Sequence, residues 1–199
     1  MCKFTPTPDL IIQECKLSSM SEQPVERYLL MCALAVAVVG AVKDVRGARI
    51  PNWLTYSGLG SALAVRGVVL GWVGFKGGFA GLLLAGGIFY FLFLLGGMGG
   101  GDVKLMAAVG AWAGVKQTET ILIGSAIAGG ILAVWYVLAY RQLGQALLNT
   151  LALAQHHLTS GLRPHPYLNI KQPGTVRIPY GLAVAVGTLA CVGHAFWRR

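Results

Sequence analysis

Acidic residues are scarce in this chain. Among 199 residues there are only 7 Asp and Glu against 16 Lys and Arg, and charged residues together make up 12%. Soluble domains carry about 25% charged residues. The low charge and a mean hydropathy of +0.64 therefore exclude an ordinary soluble domain. The sequence predicts an all-α polytopic membrane protein.

The sequence also lacks the patterns of metal and nucleic-acid sites. None of its four cysteines forms a C-x-x-C pair, and the adjacent His156 and His157 cannot share one face of a helix. We therefore expect no metal and no cofactor. The net charge of +9 does not indicate nucleic acid, because the basic residues are scattered through connecting segments and form no stripe with aromatic residues. Orientation in a lipid membrane explains them better.

The apolar residues fall into about six segments, most of them close to the ~20 residues that a helix needs to cross a bilayer. They cover residues 28–43, 54–73, 77–96, 103–116, 119–140 and 178–197. We expect about six transmembrane helices in a domain over 28–199, after a polar and disordered tail over 1–27. The pairs Gly77/Gly81 and Gly110/Gly114 predict close helix packing.

Two segments depart from a simple membrane span. The fourth is short and is bounded by glycines, which predicts a helix that starts inside the protein beside a water-filled cleft. Between the last two spans, residues 141–177 hold leucines at near-helical spacing together with basic residues and prolines. They predict an interfacial amphipathic helix and a loop on the cytoplasmic side.

Basic residues assign the sides of the membrane. The first connection holds Lys43, Arg46 and Arg49 beside two apolar segments, which predicts that it is cytoplasmic. Helix alternation then places Asp44 and Asp102 on that cytoplasmic side and Glu119 on the other. These three are the only acidic residues after Glu26. Two carboxylates are therefore left to share a site, and charged groups at membrane depth are usually functional.

Three motifs give these two aspartates a specific setting. They are Asp44 with Ile50-Pro51-Asn52, then Gly99-Gly100-Gly101-Asp102, and finally Ile178-Pro179-Tyr180-Gly181 at the start of the last span. In this order the motifs resemble those of the type IV prepilin peptidases, over about residues 28–197. The chain is most similar to the short form that serves Flp (Tad-type) pili. Nothing in residues 1–27 matches the four-cysteine zinc region of the bifunctional members, so no methyltransferase activity is expected.

The resemblance implies an intramembrane GxGD aspartyl protease with Asp44 and Asp102 as its catalytic pair. Such enzymes remove the basic leader from prepilins at the cytoplasmic face of the bacterial inner membrane. The implied partners are prepilins or pseudopilins with an apolar helix after the leader, together with membrane lipids. A homodimer is left open. Two close carboxylates do not both ionise easily, so one keeps a proton while the other activates water.

Residues near the two aspartates have supporting roles, and for Gly99, Gly101 and Lys104 two interpretations are open. Gly99 and Gly101 give the substrate close access beside Asp102, or only permit a tight turn. Lys104 hydrogen-bonds a substrate carbonyl, or extends to the membrane interface. Pro51 and Asn52 end one segment and start the next, since proline suits a first helical turn.

Other classes of protein share parts of this pattern. Presenilin-like proteases also use GxGD, but they are longer and have a tyrosine before the first aspartate. A small ion-coupled transporter could use two intramembrane carboxylates, although no inverted repeat of broken helices is visible. A non-catalytic membrane component of pilus assembly is the third alternative. Loss of cleavage on replacement of either aspartate would separate an enzyme from the other two.

Overall fold

The described part of the protein is helical. The computed structural model describes residues 8–47, 51–95, 98–139, 152 and 179–197, with side chains from Pro24 onward, and these ranges contain no strand. Its helices are α1 (Pro8–Val45), α2 (Asn52–Leu94), α3 (Gly100–Ala139) and α4 (Tyr180–Trp197). Within the described ranges, all four are long and apolar enough to cross a membrane, α1 over Pro24–Val45. The predicted all-α membrane class is confirmed, whereas the predicted amphipathic helix within 141–177 lies outside the described residues.

Helix α1 begins earlier than the sequence predicted. It starts at Pro8, so that residues 8–27 are helical where a disordered tail was expected. Proline is suited to the first position of a helix, and the residues after it include good helix formers such as Leu10 and Glu14. The apolar part of α1 still begins at Pro24, within a few residues of the predicted start at 28.

Helices α2 and α3 are each divided by one glycine. At 43 residues, a straight α2 would be about 65 Å long, about twice the ~30 Å of a hydrocarbon core. Gly71 has φ 64° and Gly114 has φ 74°, both in the left-handed region that favours glycine. We call the resulting pieces the first and second arms: 52–70 and 72–94 of α2, and 100–113 and 115–139 of α3.

The two arms of α2 fold back on each other. Nε of Arg66 donates a hydrogen bond to the Gly74 carbonyl at 3.3 Å, and a Cβ added at Gly78 would lie 2.8 Å from Cδ of Arg66. In a straight helix, residues 12 apart would be about 18 Å apart along the axis. The chain therefore reverses at Gly71.

Helix α3 also bends sharply, at Gly114. Oγ1 of Thr118 in its second arm donates to the carbonyl of Gly110 in the first arm, at 3.4 Å. In a straight helix, a separation of eight residues would put these groups about 12 Å apart along the axis. The sequence had placed segment boundaries close to both glycines, between residues 73 and 77 and between residues 116 and 119, although it named only Gly114.

The first arm of α3 is the centre of the core. Its residues from Leu105 to Ala113 are buried, except for the half-buried Ala107. Both arms of α2 pack against it, since an added Cβ would approach Ala108 from Gly58 and Ala107 from Gly86. The predicted internal position of this short helix is therefore observed.

Helix α4 fills the remaining side, between α1 and the second arm of α3. It runs antiparallel to α1, with Gly181 near Ala41 at one end and the Phe196 ring 5.5 Å from the guanidinium of Arg27 at the other. The outward face of the second arm of α3 is strongly apolar. Its exposed side chains include Ile123, Ile127, Ile131, Val134 and Leu138. Such a surface suits lipid rather than water.

Glycines set the closest helix contacts. A Cβ added at Gly110 would lie 2.5 Å from the carbonyl oxygen of Gly81 and 2.8 Å from Cβ of Ala85. Gly81 is likewise close to Gly110 and Gly114, as the small-residue pattern predicted. In the predicted pair Gly77/Gly81, however, Gly77 is only half-buried. The buried glycine one turn before Gly81 is Gly78.

We expect Gly110→Ala to lower the free energy of unfolding by about 1–3 kcal/mol, because its new methyl group meets backbone that cannot move aside. Gly87→Ala is the matched control, since a Cβ there would have nothing within 4 Å. It should be neutral or slightly stabilising, as removal of a helical glycine commonly is. Thermal unfolding of the purified variants in detergent measures both effects. Equal unfolding temperatures for the two variants would contradict the packing described here.

Candidate active site

Four helix ends meet at one end of the helix bundle. They are the carboxyl end of α1 and the amino ends of α2, α3 and α4. A Cβ added at Gly40 of α1 would lie 2.5 Å from Cδ1 of Leu105 in α3, so these two helices pack closely one turn away from their ends. Asp44 lies one turn beyond Gly40, and Asp102 lies about one turn before Leu105. The two aspartates therefore lie at the same end of the bundle, as predicted.

Asp44 is held by the last helix. Its side chain is half-buried, and its Oδ2 accepts a hydrogen bond from the backbone N–H of Gly181 at 2.8 Å. A Cβ added at Gly181 would lie 3.0 Å from the same oxygen and 3.1 Å from Cβ of Asp44. Only a glycine allows α4 to come this close to the carboxylate.

Asp102 lies in the first turn of α3. Its Oδ2 accepts a hydrogen bond from the Gly99 N–H at 3.3 Å, and its own N–H donates to the Gly99 carbonyl at 3.1 Å. This reciprocal arrangement resembles a capping box. In a capping box, the side chain of the third helical residue accepts a hydrogen bond from the backbone N–H of the residue that directly precedes the helix. Tyr180 also lies within electrostatic range of the Asp102 carboxylate. Asp102 thus has a structural role in starting α3, beside the chemical role that the sequence predicts for it.

The remaining predicted residues lie at the same end of the bundle, at the starts of α2 and α3. Nζ of Lys104 donates to Oδ1 of Asn52 at 2.9 Å and lies 5.3 Å from the centre of the Tyr56 ring. Pro51 has an extended backbone and directly precedes α2, which starts at Asn52 as predicted. Gly101 lies half-buried in the first turn of α3. Lys104 and Asn52 therefore form a pair that links α3 to α2.

Basic residues lie at the same end. Lys43 and Arg46 flank Asp44 and are exposed. The third basic residue of the predicted cytoplasmic loop, Arg49, lies outside the described residues. Glu119 is exposed in the second arm of α3, five residues after the break at Gly114 and away from this end.

Sequence reasoning missed the part that Tyr180 and Gly181 have in this site, and it missed the buried Arg66 at the opposite end of the bundle. It noted Tyr180 and Gly181 as part of a motif but gave them no role, because the bond from Gly181 to Asp44 joins residues 137 positions apart. It also missed Arg66, whose only signal was a lone charge in an apolar segment. Among the described residues, no three His, Cys, Asp or Glu side chains come together to hold a metal ion.

Comparison with known proteins gives the family. A family model described as the type IV leader peptidase family matches residues 29–134, which is more than half of the chain. The chain belongs to the type IV leader peptidase family. The matched region of this leader peptidase includes Asp44 and Asp102 but ends before α4. Neither the curated proteins nor the solved structures searched gave a match.

Membership of this family makes the protein a membrane peptidase and therefore a hydrolase. The family match is also consistent with a short prepilin peptidase, as the sequence motifs suggested.

Proposed function

We propose that this leader peptidase is an aspartic endopeptidase that removes the basic leader from type IV prepilins of the Flp type. The observation that carries the proposal is that Asp44 and Asp102, from distant parts of a matched family domain, lie at the same end of the helix bundle. In this role the enzyme serves pilus assembly or secretion. Its substrate is a prepilin with a basic leader followed by an apolar helix.

The chemistry needs only the two carboxylates and a water molecule. One carboxylate takes a proton from the water as the water oxygen bonds to the peptide carbonyl carbon. The other carboxyl group, which is protonated, donates its proton to the carbonyl oxygen. As the C–N bond of the resulting tetrahedral diol breaks, the carboxyl group that took the water proton gives a proton to the leaving nitrogen, and a hydroxyl of the diol gives its proton to the other carboxylate. The pair returns to a state with one shared proton, without a covalent intermediate.

The cytoplasmic face of the bacterial inner membrane is the proposed place of cleavage. Lys43 and Arg46 lie at the site end, and short basic segments next to membrane helices are retained on the cytoplasmic side. With turns at Gly71 and Gly114, the helices would cross the membrane six times. Exposed aromatic residues at the opposite end, among them Tyr28, Trp72 and Trp197, support a second interface there.

Co-expression with a candidate Flp prepilin from the same genome tests the proposal. The expected product is a shortened pilin whose new N-terminus, read by mass spectrometry, lies just before the apolar helix. Labelling of single cysteines in a cysteine-free background should reach position 46 only from the cytoplasmic side. If the membrane-inserted wild type leaves every candidate prepilin at full length, the proposed substrate is wrong.

A further inference from the structure

The start of α4 holds Asp44 through backbone rather than through a side chain. The Gly181 N–H lies in the first turn of its helix, where backbone amides have no carbonyl partner within the helix. It donates instead to Oδ2 of Asp44 at 2.8 Å, a short distance typical of a bond to a charged acceptor. The positive end of the helix dipole favours a carboxylate at this place.

The position of this amide is fixed by its neighbour. The Tyr180 ring packs edge-on against Phe89 of α2, with ring centres 5.6 Å apart. Its hydroxyl donates to the Ser125 carbonyl of α3 at 3.4 Å, and a Cβ added at Gly129 would lie 2.6 Å from the ring. Tyr180 is therefore held on two sides by other helices, so the amide that follows it has little freedom to move.

We infer that the backbone amide of Gly181 is a positioning group for the reaction, which holds Asp44 at the correct distance and orientation towards Asp102. This inference rests on the proposed function. It assigns a role to the Tyr180-Gly181 pair, which lies beyond the matched family region. The amide acts through Asp44 and does not itself touch the substrate.

The groups around Asp44 are consistent with this role. The charged side chains next to it in α1, Lys43 and Arg46, are exposed, whereas the Gly181 amide is buried. The hydrogen bond from Gly181 to Asp44, at 2.8 Å, is shorter than the one from Gly99 to Asp102, at 3.3 Å. Because glycine is required for the close approach, a single methyl group at position 181 would displace the carboxylate.

Kinetics of two glycine variants test the effect on the reaction. Gly181→Ala should lower kcat for prepilin cleavage by about a hundredfold with little change in KM, since a displacement of about 1 Å can cost that much. Gly193→Ala, in the same helix with open space around it, is the control and should cleave normally. Thermal unfolding shows whether each variant is folded. A folded Gly181→Ala enzyme with a kcat within about threefold of wild type would overturn the inference.

Nuclear magnetic resonance tests the hydrogen bond without any cleavage. Tyr180-Gly181 is the only Tyr-Gly pair in the sequence, so labelling of tyrosine carbonyl carbon with ¹³C and glycine nitrogen with ¹⁵N gives one correlated amide signal. Asp44→Asn should move this signal upfield, and Asp102→Asn should move it less. A signal that does not respond to Asp44→Asn would refute the positioning role, whatever the cleavage result. Failure of the wild type to cleave prepilin, with the expected NMR response, would instead count against the substrate alone.

Discussion

Replacement of either aspartate by asparagine should lower prepilin cleavage by about a thousandfold or more, because each carboxylate has its own proton-transfer step in the proposed reaction. Asn is nearly the same size as Asp and keeps an oxygen that can accept the bonds from Gly181 or Gly99. The variants should therefore insert into the membrane and fold. Cleavage is measured by the ratio of shortened to full-length pilin over time, at equal amounts of enzyme in the membrane.

Glu119→Gln is the control for the aspartate variants. It removes one negative charge from an exposed position away from the site end, and cleavage should be unchanged. If Asp44→Asn or Asp102→Asn kept cleavage within about tenfold of wild type, that residue would contribute less than about 1.4 kcal/mol to lowering the barrier and would not be catalytic.

The second large effect is expected at Arg66, at the opposite end of the bundle from the site. This side chain is only 4% exposed. Its NH1 donates to the Trp112 carbonyl at 2.7 Å, its Nε donates to the Gly74 carbonyl at 3.3 Å, and its NH2 lies 3.8 Å from a carboxylate oxygen of Glu26. The carbonyls of Gly74 and Trp112 lie beside the reversals at Gly71 and Gly114. One guanidinium thus connects α1 to both reversals.

Arg66→Met should lower the free energy of unfolding by about 3 kcal/mol or more, because it leaves a carboxylate and two carbonyls without their partner. Arg66→Lys should recover only a small part of the loss, since an ammonium cannot reach in the three directions that the guanidinium serves. Lys76→Met, at an exposed position in the second arm of α2, is the control. Unfolding in detergent, followed by tryptophan fluorescence, gives the comparison. A loss below about 1 kcal/mol for Arg66→Met would show that the guanidinium does not hold the reversals together.

The sequence predicted those parts of the fold that depend on local composition. Long apolar runs identified the helices, and the scarcity of acidic residues left Asp44 and Asp102 as the candidate pair. The sequence placed a segment boundary between residues 73 and 77, but it could not identify Gly71 as the point of reversal, because the neighbourhood of Gly71 is apolar on both sides and glycine is common in membrane helices. The sequence did not predict that α1 extends back to Pro8; polar residues can also form helix when the helix continues from a stable apolar segment.

Long-range contacts within the site were also beyond the sequence. The bond from Gly181 to Asp44 and the pair of Lys104 with Asn52 each depend on how helices pack, and no local pattern reports such packing. The burial of Arg66 also depends on how the helices pack. A lone arginine in an apolar run suggests a polar environment, but its partners come from three other parts of the chain.

The length of the first arm of α3 has a consequence for the substrate. Its 14 residues measure about 21 Å, which is about 9 Å less than the hydrocarbon thickness of a typical bilayer. If the reversal at Gly114 lies near one surface, Asp102 at the other end of the arm lies well below the opposite surface, unless the lipid thins around the protein. The proposed prepilin substrate would then be cut below the height at which its charged leader rests in the surrounding lipid. For that substrate, either the leader would be drawn inward or the bilayer edge would descend to the enzyme, and in both cases hydrophobic mismatch would help to select where the peptide bond is exposed.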